Sequence, residues 1–158
     1  MAILQNTPLL AALFSIFFAQ FVKIPIHFLM TKKLDWKLFT STGGMPSSHS
    51  AAVTSLCTAI AFETGLDSPL FAVATVFAVI VMFDATGVRF QAGQHAIIIN
   101  QMRADFQTFV EQTKGWAQKK NEDKMKELKT LLGHKPIEVL MGALTGIAIS
   151  IVIYNTLG

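Results

Sequence analysis

Charge is scarce in this sequence. Asp, Glu, Lys and Arg make up 15% of its 158 residues, where a soluble domain carries about a quarter. Apolar residues reach 52% and fall in runs, so the chain is expected to be a membrane protein. Cysteine is nearly absent. Cys57 stands alone, which excludes an internal disulfide, and in its apolar run it fits a small packing residue. No basic segment precedes the first apolar run. Its end passes into "MTKKLDW" rather than a small-residue cleavage site, so the run is expected to be a retained span. No basic stripe alternates with exposed aromatics, so nucleic acid is not an expected partner. No internal repeat is visible, which leaves little for alternating-access transport.

Four segments approach the roughly 20 residues that a spanning helix needs. They are 8–30, 48–65, 69–88 and 136–156. The first contains Lys23, Pro25 and His27 near its end, and Pro25 is expected to kink or end the helix. The second is rich in small residues and is expected to pack against other helices rather than lipid. The third ends near Asp84. The fourth starts at Pro136, a good first-turn position, and carries "GALTG", a small-xxx-small face that could equally serve a homodimer. Between the last two spans, residues 91–132 are polar, basic and helix-forming, with Phe106, Phe109, Val110 and Trp116 at amphipathic spacings. A helical hairpin on the membrane face and a lipid-surface helix both fit this segment. The expected fold is therefore all-α. It is a single membrane domain over 1–158 with about four transmembrane helices plus a cytosolic amphipathic segment.

All 13 Lys and Arg lie between Lys23 and Lys37 or between Arg89 and Lys135. The loop between the second and third segments carries only Glu63 and Asp67. The positive-inside rule places both basic regions in the cytoplasm and both termini outside the cell membrane. Three polar motifs then converge on the cytoplasmic side. They are "STGGMPSSHS" (41–50), "DATGVRFQAGQHA" (84–96) and "LGHKPIEV" (132–139).

The first motif suits an anion. Gly43 and Gly44 permit close backbone approach. Ser47 and Ser48 open a helix whose free N–H groups and dipole attract phosphate. Lys23, Lys32 and Arg89 offer charge-assisted donors, and His49 follows directly behind the cap. The plain alternative is a Pro-Ser-Ser helix cap with no ligand. In the third motif Glu138 follows His134 by four residues. At a helix start the two share a face, so the carboxylate can orient the imidazole. The plain alternative is an interfacial His near an N-terminal Glu. Asp84 fits an ion pair with Arg89 or Lys23, with a Mg²⁺ site as the minor alternative.

"GGMPSSHSA", "DATGVRFQAGQHA" and "LGHKPIEVLMG" together resemble the divergent branch of the type-2 phosphatidic acid phosphatase superfamily, over nearly the whole chain and in the same order. That wider superfamily includes integral-membrane lipid phosphatases and vanadate-dependent haloperoxidases. The resemblance implies phosphate removal through a phosphohistidine, with no metal or other cofactor. It implies His134 as nucleophile, Glu138 as its orienting residue, and His49 as the acid that protonates the leaving alcohol. Ser47 and Ser48 would hold phosphate oxygens, with Lys23, Lys32 and Arg89 as the nearest charged equivalents and Gly44 expected beside them from its place in the first motif. Asp84 and Gln94 have no counterpart in the family's motifs and are expected to be structural or supporting. The pattern departs from the family in three places. The second motif reads Pro-Ser-Ser-His where the family has Pro-Ser-Gly-His. "KELKTLLGH" lacks the Ser-Arg that usually precedes the nucleophile, leaving Arg89 as its replacement. The usual Lys-x6-Arg-Pro is missing, with Lys23 and Lys32 as the nearest equivalents. The expected function is a membrane-embedded phosphatase for a lipid phosphate monoester: phosphatidylglycerophosphate, phosphatidic acid or a polyprenyl phosphate. The alternatives are a non-catalytic protein binding an anionic lipid head group, and a scaffold whose cytosolic helices recruit a partner.

Overall fold

A computed structural model describes residues 2–34, 36–113, 128, 130 and 132–157. Five α-helices account for most of them: α1 Thr7–Thr31, α2 Ser48–Thr64, α3 Pro69–Thr86, α4 Val88–Thr113 and α5 Pro136–Leu157. Short 3-10 turns cover Ala2–Gln5 and Trp36–Thr40. No strand occurs among the described residues, so the protein is all-α.

Local chemistry explains most of the boundaries. Asn6 Oδ1 accepts the Leu9 N–H at 3.0 Å, and Pro8 fills the first turn of α1. Ser68 Oγ accepts the Phe71 N–H at 3.1 Å ahead of α3. Ser47 caps α2 in the same way. Glu138 Oε2 takes the Lys135 N–H at 3.1 Å at the start of α5. The expectation for Pro25 is corrected in part: α1 does not end there but runs on to Thr31. In a membrane helix, neighbouring helices and local adjustment tolerate such a proline.

Three stretches are long and apolar enough to cross a membrane: 7–31, 69–110 and 136–156. The protein is accordingly a multi-pass membrane protein. α3 and α4 merge in that measure because only Gly87 separates them. The helix left out is α2, whose 17 residues rise only about 25 Å. It is nevertheless the centre of the bundle, packed against α1, α3 and α5. Its buried residues are small: Ser48, Ser50, Ala51, Val53, Thr54, Ser55 and Ala59, with Ile60. The large apolar residues point outward instead. Phe17, Phe21, Val73, Phe83 and Val152 are all exposed on the outside of the bundle, as a lipid-facing surface requires.

The seam between α2 and α5 is the tightest. A Cβ on Gly142 would strike the backbone of Ser47, and one on Gly146 would strike Ala51 O and Thr54 Oγ1. Thr54 Oγ1 lies 3.0 Å from Ala143 O. Ser150 Oγ donates to Ser55 O at 2.7 Å and lies 2.8 Å from Ser55 Oγ. Small-xxx-small spacing lets the backbones touch, and hydroxyls then bond across the gap. The "GALTG" face is thus used within the chain. At the far end of the bundle Tyr154 Oη donates to Glu63 at 2.8 Å, and its ring stacks on Phe62.

Of the expected segment 91–132, α4 covers the first part, and Trp116 and most of the second half lie outside the described residues. The chain returns along α4. Asn100 Nδ2 donates to Leu128 O at 3.0 Å, and Leu128 N–H donates to Asn100 Oδ1 at 3.1 Å. Gly93 lies against Thr130 and Leu132 carbonyls, and Gly133 against the backbone of Arg89 and Phe90.

Replacing Gly146 with Ile is expected to destabilise the protein by about 1–3 kcal/mol, the usual cost of overpacking. Unfolding in mixed micelles checks this, and lipid-facing Val152→Ala should change little.

Candidate functional site

One end of the bundle gathers the end of α1, the start of α2, the end of α3 and the start of α5. Three hydrogen bonds tie them together. Lys23 Nζ donates to Ser41 O at 3.3 Å. Ser47 N–H donates to Glu138 O at 2.9 Å, and His134 N–H donates to Ala85 O at 3.0 Å. The motifs around Ser47, Asp84 and His134, remote in sequence, meet here.

A cavity of about 300 Å³ opens among them, lined by Thr42, His49, Ile80, Val81, Asp84, Ala85, Arg89, Leu132, Gly133 and His134. His49, in the first turn of α2, is exposed on its wall. His134 is only 1% exposed, and neither of its ring nitrogens has a hydrogen-bond partner among the described residues. The two rings lie edge to face with centroids 6.0 Å apart. Arg89 Nε donates to Asp84 Oδ2 across the Gly87 break. A larger and more open cleft of about 540 Å³, between the start of α1 and the end of α2, is lined by Glu63 but by no His, Lys or Arg. It offers nothing comparable for an anion.

Burial pushes the His134 imidazole down from 6.5 to about 4, and the charges of Lys23, His49 and Arg89 push the same way. At neutral pH the ring is therefore uncharged and carries a free lone pair, which is the form a nucleophile needs.

Several expected residues stand elsewhere. His134 and Glu138 do not share a helix face, because His134 precedes α5. Pro136 disfavours helical geometry at Lys135, and Gly133 has φ +76°, a turn that aims His134 at α3. Glu138 spends its carboxylate on Lys135 N–H and its carbonyl on Ser47 N–H. It positions the two loops rather than touching the imidazole. Ser47 and Ser48 are buried behind His49 and do not line the cavity. The Ser47 hydroxyl accepts from Ser50 N–H at 3.3 Å and from Ser50 Oγ at 3.0 Å. Gly44, at φ +90°, shapes the loop. Lys23 is buried, with its ammonium on the Ser41 carbonyl. Lys32 is exposed as the left-handed cap of α1, and Gln94 is exposed on α4; neither lines the cavity. Thr42, Ile80, Val81, Ala85, Leu132 and Gly133 line it without having been assigned a role. Thr42, Ala85, Leu132 and Gly133 lie inside the three motifs, whereas Ile80 and Val81 carried no signal. Among the described residues no three His, Cys, Asp or Glu gather as a metal group would.

The family described as the divergent PAP2 family matches residues 4–149. A protein of Bacillus subtilis (strain 168) called "Uncharacterized membrane protein YuiD" is 57% identical over 153 residues, 97% of this chain and 97% of its own length. No solved structure matches.

The depressed basicity of His134 has a stability consequence. Its folded value lies below the unfolded one, so its contribution is full above pH 6.5 and is lost as pH falls toward 4. Wild type is expected to lose about 3 kcal/mol more than His134→Asn over that window, measured as the difference between their unfolding curves.

Proposed function

The chain belongs to the divergent PAP2 family, and on that premise we propose that it is a membrane-embedded phosphatase for a lipid phosphate monoester. The observation that carries this is the buried, uncharged His134, with both nitrogens unengaged, beside His49 and Arg89 in one cavity. His134 attacks phosphorus, forming a P–N bond as the P–O bond to the lipid alcohol breaks. His49 gives its proton to the departing oxygen. A water then attacks phosphorus, His49 takes its proton, and the P–N bond breaks to release phosphate and restore neutral His134. Arg89, with Lys23 behind the loop, offsets charge on the non-bridging oxygens. Glu138 acts at a distance by pinning the His134 loop to the cap of α2. Phosphatidylglycerophosphate, phosphatidic acid and polyprenyl phosphates share the required head group.

In this reading α2 crosses the membrane as a fourth span, the cavity faces the cytoplasm and both termini lie outside. The support is the confinement of all 13 Lys and Arg to residues 23–37 and 89–135 of the sequence, with none between the second and third segments or after the fourth begins. In a Cys57→Ala background, Lys33→Cys is expected to react with an impermeant thiol reagent only in inverted vesicles. Asp67→Cys should react only in intact cells.

Purified protein should release phosphate from at least one of these lipids in the presence of EDTA. His134→Ala should abolish turnover, and His49→Ala should slow it about 10²–10⁴-fold. Phosphate-release kinetics with both variants check this. Absence of release from every lipid, with vanadate still bound, would turn the reading to a non-catalytic anion-binding protein.

A further inference from the structure

Asp84 is the feature that a phosphate site does not explain. It is an acid on the wall of a cavity otherwise suited to an anion, and it occupies the guanidinium that an anion would use. The placement is also poor for stability. Asp84 lies in the last turn of α3 and Arg89 in the first turn of α4. Each faces the helix end of its own sign, which costs rather than stabilises. The side chains are 40% and 61% exposed, so the pair itself contributes little. With His134 uncharged, the Asp84 carboxylate offsets the guanidinium of Arg89, the one Lys or Arg among the described residues that line the cavity.

That cancellation matters in a bilayer. The cavity is lined in part by Ile80, which is 60% exposed on α3, so its wall borders the face that lipids cover. Nearly all of those lipids carry a phosphodiester with one negative charge. A bare Arg89 would bind them. A phosphodiester brings no more charge to Arg89 than the carboxylate it must displace, and it leaves Asp84 unpaired. A phosphate monoester brings nearly two charges and a third terminal oxygen. Resting on the reading of this cavity as a monoester site, we propose that Asp84 is a specificity-determining residue. It holds Arg89 against the abundant phosphodiester lipids and releases it to a monoester.

The test measures binding to the full-length protein in detergent at pH 8 by native mass spectrometry. The probes are a non-hydrolysable phosphonate analogue of phosphatidic acid and phosphatidylglycerol. Wild type should prefer the phosphonate, and excess phosphatidylglycerol should not displace it. Asp84→Asn and Asp84→Ser should lose about fivefold of that preference, the size an exposed ion pair supports, through tighter phosphatidylglycerol binding. Arg89→Gln should weaken the phosphonate. An unchanged preference in either folded Asp84 variant overturns the inference alone, while wild-type binding of the phosphonate stands. Ready displacement by phosphatidylglycerol from wild type does the same and needs no variant to fold. Failure of wild type to bind the phosphonate, or equal binding by Arg89→Gln, overturns the monoester reading and the inference with it.

Discussion

How closely α5 can approach α2 decides the rest of the structure. In lipid there is no hydrophobic force to press two helices together, so contact depends on shape and on bonds across the seam. Gly142 and Gly146 bring the α5 backbone onto Ser47 and Ala51, and Thr54, Ser55 and Ser150 complete the contact with hydroxyls. This same contact carries the Glu138 carbonyl to the Ser47 N–H. His49 and His134 are neighbours because the start of α2 and the segment leading into α5 are fastened at that point. A packing requirement and a chemical arrangement are therefore one feature.

The enclosure has an electrostatic effect. A histidine in a loop near the membrane surface would ordinarily titrate near neutrality. His134 is shut in by α3, by its own loop and by the cationic groups around it, and so it stays uncharged. Lys23 and Arg89 would draw an anion to the place where that uncharged ring waits. In the proposed function the same cations would attract a phosphate and keep the nucleophile free of a proton.

Much of this was legible in the sequence, for identifiable reasons. Helix limits followed from apolar runs, with Ser47 and Pro136 marking two of the starts; Asn6 and Ser68 went unremarked, although their capping roles depend only on near neighbours. The convergence of three motifs followed from charge asymmetry and span order. What failed to show was anything that depended on a loop's course. His134 and Glu138 have helical spacing, yet Gly133 and Pro136 bend the chain so that the two side chains diverge. Lys32 is four residues short of Trp36 in sequence but, as the cap of α1, it lines no part of the cavity. Ile80 and Val81 looked like any other lipid-facing residues, because only the fold shows which turn of α3 borders the cavity. Pro25 could not be ranked between a kink and a stop, since its neighbours decide what becomes of the freed backbone.

On its way to α5 the chain runs back along α4. Asn100 clasps the backbone of Leu128 from both sides, Gly93 lies against the Thr130 and Leu132 carbonyls, Gly133 against Arg89 and Phe90, and His134 N–H then reaches Ala85 O. The register of that descent is set by α4 itself. Gly133 rests on the Arg89 and Phe90 backbone, so the helix that carries the guanidinium also fixes the height of the imidazole, and neither can slide along the bundle without the other.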